Sequence, residues 1–147
     1  MHILLVEDSR DDASLLTDFL AEEKDAPHVQ WVSDGQEALA YVAQTGKYEG
    51  ALKPDVILLD LGMPRFGGYE TLRELKQLSA YADIPVIVIT TSHNPADYEN
   101  CLGLGANGFF SKPSNLQGYE DLVQKLMHSE FPRLTQPDFA LSRTDLH

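Results

Sequence analysis

Three acidic side chains come directly after short apolar runs of the chain. Glu7 and Asp8 follow the run at residues 3–6, and Asp60 follows the run at residues 56–59. Carboxylates that share one site repel each other unless a proton or a cation neutralises them. Ligands that are all oxygen, with no His or Cys, suit a hard divalent ion, and a small number of them leaves room for the waters that Mg²⁺ keeps. If the fold brings the two runs together, the three acids predict a magnesium site.

A hydroxyl and an ammonium group occupy comparable positions after two later runs. Thr90 follows the run at residues 86–89, and Lys112 comes shortly after the run at residues 108–110. A metal ion, a lysine and a hydroxyl around one carboxylate make a site for phosphoryl transfer. In this interpretation Asp60 is the nucleophile, Mg²⁺ and Lys112 neutralise the phosphoryl oxygens, and Thr90 donates a hydrogen bond. The alternative is that acids at strand ends only cap the helices that follow, but their joint placement with the hydroxyl and the lysine favours the site.

An alternation of short β-rich runs with helical stripes must position these residues. The runs lie at residues 3–6, 29–32, 56–59, 86–89 and 108–110. Apolar residues three or four apart mark five helices, around Leu16, Leu39, Leu72, Cys101 and Val123. The alternation predicts an α/β fold, a doubly wound (βα)5 sandwich around a parallel five-stranded sheet of order 2-1-3-4-5. Such sheets bind ligands at the carboxyl ends of the strands where the order reverses, here between the first and third strands.

Two serines are predicted to start the first two helices. Ser9 and Ser33 precede helical stripes, and Asp12 and Gln36 follow them three residues later. This spacing is typical of N-terminal capping patterns. We therefore expect Ser9 and Ser33 to be N-cap residues.

Length and composition exclude several classes of protein. The 147 residues fit one domain, since domains cluster at roughly 100–150 residues. The net charge of −12, from 23 acids and 11 bases, argues against binding nucleic acid, which depends on Lys and Arg. The single cysteine excludes an internal disulfide, and no Cys/His cluster has zinc spacing. No apolar run approaches the ~18–20 residues of a membrane span or forms a signal peptide, so we predict a cytoplasmic protein without a membrane segment.

Four segments of the chain together resemble the receiver domains of response regulators, of the CheY-like kind. The segments are ILLVEDS at 3–9, DLGMPRFGG at 60–68, PVIVITTS at 85–92 and GANGFFSKP at 105–113. Each alone is moderate evidence, whereas all four in this order and spacing make a strong resemblance. The resemblance divides the chain into a receiver domain at 1–128 and a C-terminal extension at 129–147.

The resemblance implies a role for each of the acids. Asp60 matches the phosphoacceptor of the family, and Asp8 and Asp60 match direct ligands of Mg²⁺ or Mn²⁺. Glu7 matches an acid that acts on the metal through water, and Gly62 matches a ligand that uses its backbone carbonyl. Gly62 also replaces a side chain that in relatives influences attack by water, which leaves the lifetime of the phosphoryl group open.

The resemblance also implies a switch. Thr90 matches the switch hydroxyl, Lys112 matches the lysine that pairs with the phosphoryl group, and Lys112–Pro113 matches a cis peptide bond. Phe109 occupies the switch-aromatic position but lacks the hydroxyl of the more frequent tyrosine, so a switch there would act through ring packing. The alternative for Phe109 is an ordinary core residue. Phosphorylation would draw Thr90 inward and repack the face formed by the fourth helix, fifth strand and fifth helix.

The function implied by the resemblance is that of a two-component response regulator. It would accept a phosphoryl group on Asp60 from the phosphohistidine of a sensor histidine kinase. Output would come from protein–protein binding, because the sequence holds no helix-turn-helix, no basic stretch and no further catalytic motif. We therefore predict a phosphoacceptor switch that is not an enzyme, beyond Mg²⁺-dependent self-phosphorylation and slow loss of the phosphoryl group.

Three features resemble the single-domain regulators of phytochrome-type histidine kinases. They are the long connection at 46–54 with Tyr48, the Thr90-Thr91-Ser92 run and the aromatic-bearing tail. Relatives of this subgroup dimerise through the side formed by the fourth helix, fifth strand and fifth helix, often with the C-terminal extension contributing. We expect a homodimer of this kind, with an inert tail as the alternative.

Three other functions fit the same topology less well. A flavodoxin-like electron carrier would need a Ser/Thr/Gly-rich phosphate loop after the first strand, where residues 7–12 present acids. An aspartyl-phosphate hydrolase would need a second acid two residues after the nucleophile, but this position is Gly62. A receiver-shaped interaction module that is never phosphorylated is the third alternative, and the intact set of site residues argues against it.

Overall fold

Five β-strands alternate with five α-helices in the computed structural model, which describes residues 1–63, 67–78 and 81–128. The strands are β1 (His2–Val6), β2 (His28–Val32), β3 (Val56–Asp60), β4 (Val86–Thr90) and β5 (Gly108–Ser111). The helices are α1 (Arg10–Ala21), α2 (Gly35–Ala43), α3 (Gly68–Gln77), α4 (Pro95–Gly103) and α5 (Leu116–Met127), with a short 3₁₀ helix at Gly46–Tyr48. Each strand extends its predicted run by one residue, which confirms the α/β class. Within the described residues, every helix is too short and too polar to cross a membrane.

The sheet is parallel throughout, and its order β2-β1-β3-β4-β5 confirms the predicted 2-1-3-4-5. The register of β1 against β3 makes Glu7 and Asp60 neighbours at the carboxyl edge of the sheet. The register of β4 against β5 brings Thr90 and Lys112 to the same edge. Backbone pairing therefore collects four of the predicted site residues along one edge.

Strands β1, β3 and β4 are buried along their whole length, because helices cover both faces of the sheet. In β3, Ile57 and Leu59 pack toward α2, α3 and α4, whereas Val56 and Leu58 pack toward α1 and α5. Burial on both sides explains why this run shows no alternation of polar and apolar residues. Each such side chain contributes roughly 1.5–3 kcal/mol through its burial, so the sheet is a rigid base for its carboxyl edge.

Of the two predicted N-cap residues, Ser9 is confirmed and Ser33 is wrong. The Ser9 side chain accepts a hydrogen bond from the backbone N–H of Asp12 and caps α1. Helix α2 instead begins one residue later than predicted, because Asp34 is its N-cap and accepts from the N–H of Glu37 at 2.8 Å. Asp caps a helix as well as Ser does, so local sequence offers two equivalent starts here.

The chain turns into α3 soon after the end of β3, and Gly68 permits the close approach of the two elements. A Cβ atom at position 68 would lie 2.5 Å from the Cα of Leu61 and 2.8 Å from the carbonyl oxygen of Asp60. No side chain fits at such distances, so α3 begins directly against the backbone beside Asp60. The packing of α3 therefore helps to fix the carboxyl end of β3.

We expect Gly68→Ala to lower the free energy of unfolding by roughly 1–3 kcal/mol, because the added methyl group overlaps backbone atoms. Urea unfolding followed by circular dichroism measures this change. Gly103→Ala is the matched control, since Gly103 ends α4 and no described atom lies within 4 Å of where its Cβ would be. Equal stability of the two variants would contradict the close approach at Gly68.

Candidate functional site

The three predicted acids meet at the carboxyl edge of the sheet. One carboxylate oxygen from each of Glu7, Asp8 and Asp60 lies within 4.8 Å of the other two. Glu7 and Asp60 are only 5% and 8% exposed, whereas Asp8 is exposed to solvent. The two buried acids thus form the floor of the site, and the exposed acid forms its rim.

The carboxyl group of Glu7 lies between opposing charges. Burial and contact with the carboxylate of Asp60 raise the pKa of Glu7 to about 7, although Lys112 opposes this rise. The Glu7 Oε2 atom also accepts a hydrogen bond from the backbone N–H of Ser9 at 3.1 Å. Two buried carboxylates in contact thus lack part of the positive charge that would keep both ionised. A divalent cation fits this all-oxygen site, because it would supply that charge.

Lys112 brings a positive charge to the floor of the site. Its Nζ atom lies 2.7 Å from Oε1 of Glu7, 2.8 Å from Oδ2 of Asp12 and 3.8 Å from Oδ2 of Asp60. Burial lowers the pKa of Lys112, but hydrogen bonds to Asp12 and Glu7 outweigh burial and leave that pKa above its ordinary value. The ammonium group therefore stays charged beside Asp60.

Sequence reasoning alone misses Asp12 as a member of the site. The local pattern assigns it only to the capped first turn of α1, and its N–H does bond to Ser9 Oγ at 3.2 Å. Its carboxylate, however, reaches across to Lys112. One feature of the sequence could have indicated Asp12: it lies in the first turn of α1, which begins shortly after the carboxyl end of β1.

Gly62 contacts the Asp60 carboxylate through its backbone only. The backbone N–H of Gly62 donates a hydrogen bond to Oδ1 of Asp60 at 3.0 Å. A Cβ atom at position 62 would lie 3.6 Å from the same oxygen, so any longer side chain would stand beside the carboxylate. The glycine therefore orients Asp60 through the main chain alone.

Thr90 is nearly fully buried, and hydrogen bonds tie it to its neighbours. Its hydroxyl oxygen accepts from the N–H of Ser92 at 3.1 Å, and its carbonyl accepts from the N–H of Lys112 at 2.7 Å. The Ser92 hydroxyl donates to Asp97, which also accepts from the hydroxyl of Tyr69. A chain of hydrogen bonds thus links Thr90 to α4 and α3. No regular spacing connects these residues along the sequence, so sequence reasoning misses the chain.

Phe109 precedes Lys112 along the chain, and Pro113 follows it directly. Phe109 is fully buried, and its ring packs edge-on against Tyr98 of α4 with centroids 5.6 Å apart. Pro113 lies against α5, since a Cβ atom at Gly118 would come within 2.8 Å of the Cβ of Pro113. Phe109 thus occupies the core between β5 and α4. The cis form of the Lys112–Pro113 bond stays a prediction.

The fold and the site together define a class of protein, a parallel α/β domain with acids, a lysine and a threonine at one sheet edge. The family model for the response regulator receiver domain matches residues 3–126, and the chain belongs to this family. The chain is therefore the receiver domain of a two-component response regulator, as the sequence predicts.

Several known proteins are similar to most of the chain. Response regulator Rcp1 of Synechocystis sp. is 37% identical over 135 residues, which cover 92% of this chain and 92% of that protein. The structure of the Mn²⁺-bound form of Rcp1 matches with a TM-score of 0.82 and 37% identity, over 92% of this chain and 98% of that one. The phosphorylated cyanobacterial phytochrome response regulator RcpA matches with a TM-score of 0.80 and 38% identity, over 85% and 89%. These similarities confirm the predicted resemblance to phytochrome-associated regulators.

Trp31, the single tryptophan, gives the acid cluster a natural reporter, because its indole N–H donates to the carbonyl of Glu7 at 2.7 Å. We expect Mg²⁺ or Mn²⁺ to change the fluorescence of Trp31 in a saturable titration. Asp8→Asn should weaken the apparent metal affinity at least roughly tenfold. Even the loss of a residue that only hydrogen-bonds to a metal ligand typically weakens metal binding by that factor.

The matched control for this titration is Asp11→Asn, which removes the same charge from an exposed residue of α1. Screening by solvent and salt should limit its effect to roughly twofold. Equal affinities of the Asp8 and Asp11 variants would show that Asp8 is not a ligand.

Proposed function

We propose that Asp60 accepts a phosphoryl group from the phosphohistidine of a sensor histidine kinase. The observation that carries this proposal is the placement of the Lys112 ammonium 3.8 Å from Oδ2 of Asp60, beside acids spaced to share a divalent ion. An anionic nucleophile attacks an anionic phosphoryl group only where positive charge is already in place. The site offers that charge beside a buried carboxylate.

The transfer would need no general base, because a carboxylate nucleophile, unlike a hydroxyl group, has no proton to lose as it attacks. An oxygen of Asp60 would bond to phosphorus as the bond from phosphorus to the kinase imidazole breaks. The electron pair of the broken bond stays on the imidazole nitrogen, which takes up a proton from water. The hydrogen bond from Gly62 and the packing around β3 would hold the carboxylate in line for attack.

Mg²⁺ or Mn²⁺ would be the metal of the site. Asp8 and Asp60 would bind it directly, and Glu7 would act through water. The backbone carbonyl of Gly62 would be a further ligand. When bound, the ion would neutralise phosphoryl oxygens, and the Mn²⁺-bound form of Rcp1 supports a divalent ion in a similar protein.

The protein would act as a phosphoacceptor rather than as an enzyme with an external substrate. Small phosphoryl donors would serve for Mg²⁺-dependent self-phosphorylation, because position 62 places no side chain beside the Asp60 carboxylate. Loss of the phosphoryl group would be slow, since position 62 provides no side chain to orient an attacking water.

Thr90 and Phe109 would carry the signal from Asp60 to the surface. The Thr90 hydroxyl oxygen accepts from the N–H of Ser92, and on phosphorylation the hydroxyl would turn to donate its own proton to a phosphoryl oxygen, which is a strong acceptor. This movement would free space beside β4 for the ring of Phe109, which packs on Tyr98 of α4. The face formed by α4, β5 and α5 would then repack as a two-state shift and change its affinity for partners.

The partners would be a kinase and a second copy of the chain. A phytochrome-type sensor kinase is supported by RcpA, which is described as a phytochrome response regulator. A homodimer would form on the face of α4, β5 and α5 of the receiver domain at 1–128. The extension at 129–147, which lies outside the described residues, would be its dimerisation arm. The net charge of −12 argues against nucleic acid as a partner, and the cytoplasmic location stays a prediction.

Incubation with acetyl phosphate and Mg²⁺ should add the mass of one phosphoryl group to the wild type and none to Asp60→Asn. Intact-mass spectrometry measures this difference, and removal of Mg²⁺ with EDTA should abolish the adduct. An unmodified wild type would favour the alternative of an interaction module that is never phosphorylated.

In the same experiment Thr90→Ala should take up the phosphoryl group but lose the shift of the α4, β5 and α5 amide signals in NMR spectra. Thr90→Ser keeps the hydroxyl and should retain that shift. A full shift in Thr90→Ala would contradict the role of the hydroxyl in the switch.

Sedimentation equilibrium should show a dimer for the full chain and a monomer for a chain that ends at His128, because the arm would be lost. Circular dichroism of the shortened chain controls for its folding. If the shortened chain keeps the dimer mass, the extension is not the dimerisation element.

A further inference from the structure

Lys112 divides its hydrogen bonds between a buried acid and a partly exposed acid. Its Nζ lies 2.7 Å from Glu7 and 2.8 Å from Asp12, both within hydrogen-bond range. Asp60 is farther away, at 3.8 Å. Two of the three N–H donors of the ammonium group are thus engaged with carboxylates before any phosphoryl group arrives, and these two bonds set its position.

The two bonds differ in how readily they can break. The Glu7 side chain is only 6% exposed, so separating it from Lys112 would leave a buried carboxylate without its partner. The Asp12 side chain is 37% exposed, and water can replace the lysine there at small cost. The bond to Asp12 is therefore the one that Lys112 would exchange for a phosphoryl oxygen on Asp60.

The surroundings hold Asp12 in place while it binds the lysine. Its backbone N–H is bonded to Ser9 Oγ at the start of α1. Tyr119 on α5 lines the same small cavity as Asp12 and Lys112, and burial together with the charge of Asp12 raises the pKa of its phenol. Asp12 is thus held between α1, α5 and the end of β5.

We propose that Asp12 is a positioning residue that holds Lys112 away from Asp60 in the unphosphorylated protein, so that a phosphoryl group on Asp60 must compete with Asp12 for the lysine. This inference rests on the proposed function of Asp60. No bond other than hydrogen bonds is made or broken in the exchange. Its consequence is that Asp12 lowers the affinity of the site for a phosphoryl group.

The test uses beryllofluoride, a phosphoryl analogue, at saturating Mg²⁺ with the full chain. Asp12→Asn should bind beryllofluoride roughly two- to five-fold more tightly than the wild type, as the loss of a partly exposed ion pair implies. Asp11→Asn is the matched control, because it removes the same charge from the neighbouring exposed residue. It should leave the affinity within measurement error of the wild type.

Two further variants separate positioning from a general effect on structure. Asp12→Glu keeps the charge and should restore an affinity close to that of the wild type. Asp12→Ala should repeat the gain of Asp12→Asn, and it serves as the test if the asparagine variant does not fold. The Mg²⁺ affinity of each variant is measured separately through Trp31, so that every beryllofluoride titration is run at Mg²⁺ saturation.

Three outcomes would overturn the inference. Equal gains in the Asp11 and Asp12 variants would show a general charge effect, and a loss of affinity in Asp12→Asn would show that Asp12 helps to direct the lysine toward the phosphoryl group. If the wild type binds no beryllofluoride while Mg²⁺ still binds, the proposed function of Asp60 fails, and the inference falls with it.

Discussion

The charge balance at the carboxyl edge of the sheet governs the rest of this structure. Glu7 and Asp60 are buried side by side, and Lys112 offsets their repulsion only in part. A buried carboxylate without a partner is strongly destabilising, so this site retains a demand for a further positive charge. A divalent ion would supply that charge, and the ion together with the lysine would stabilise the negative charge of an incoming phosphoryl group. One electrostatic imbalance would thus account for both the proposed metal and the proposed chemistry.

That imbalance persists only because the sheet holds the charges in place. Strands β1 and β3 are buried on both faces, and their register sets the two acids next to each other. Helix α3 begins against the backbone beside Asp60, where Gly68 allows the contact. Carboxylates on flexible loops would move apart or become hydrated, whereas carboxylates at the ends of packed strands stay close together.

The polar groups around this rigid floor are easier to rearrange. Thr90 is tied to Lys112 through the backbone, and its hydroxyl is bonded to the β4–α4 loop. Ser92 connects that loop to Asp97, which ties it to α4 and α3. Because the lysine and the threonine share a backbone hydrogen bond, a phosphoryl group that attracts both would act on β4, β5 and the loop together. The proposed switch would thus begin as a redistribution of a few hydrogen bonds at this edge and would reach the core through the ring of Phe109.

The sheet, its order and the residues along its carboxyl edge follow from the sequence alone. Apolar runs without alternation indicate strands buried on both faces, and the rule that ligands bind where strand order reverses then points to Glu7, Asp8 and Asp60. The contact between Asp12 and Lys112 emerges only in the folded chain, because it joins side chains a hundred residues apart at distances that helix packing sets. The start of α2 at Asp34 rather than Ser33 was likewise undecided locally, since both residues cap well and only the folded chain selects between them. Backbone pairing follows from periodic patterns, whereas partners between side chains depend on how the covering helices pack.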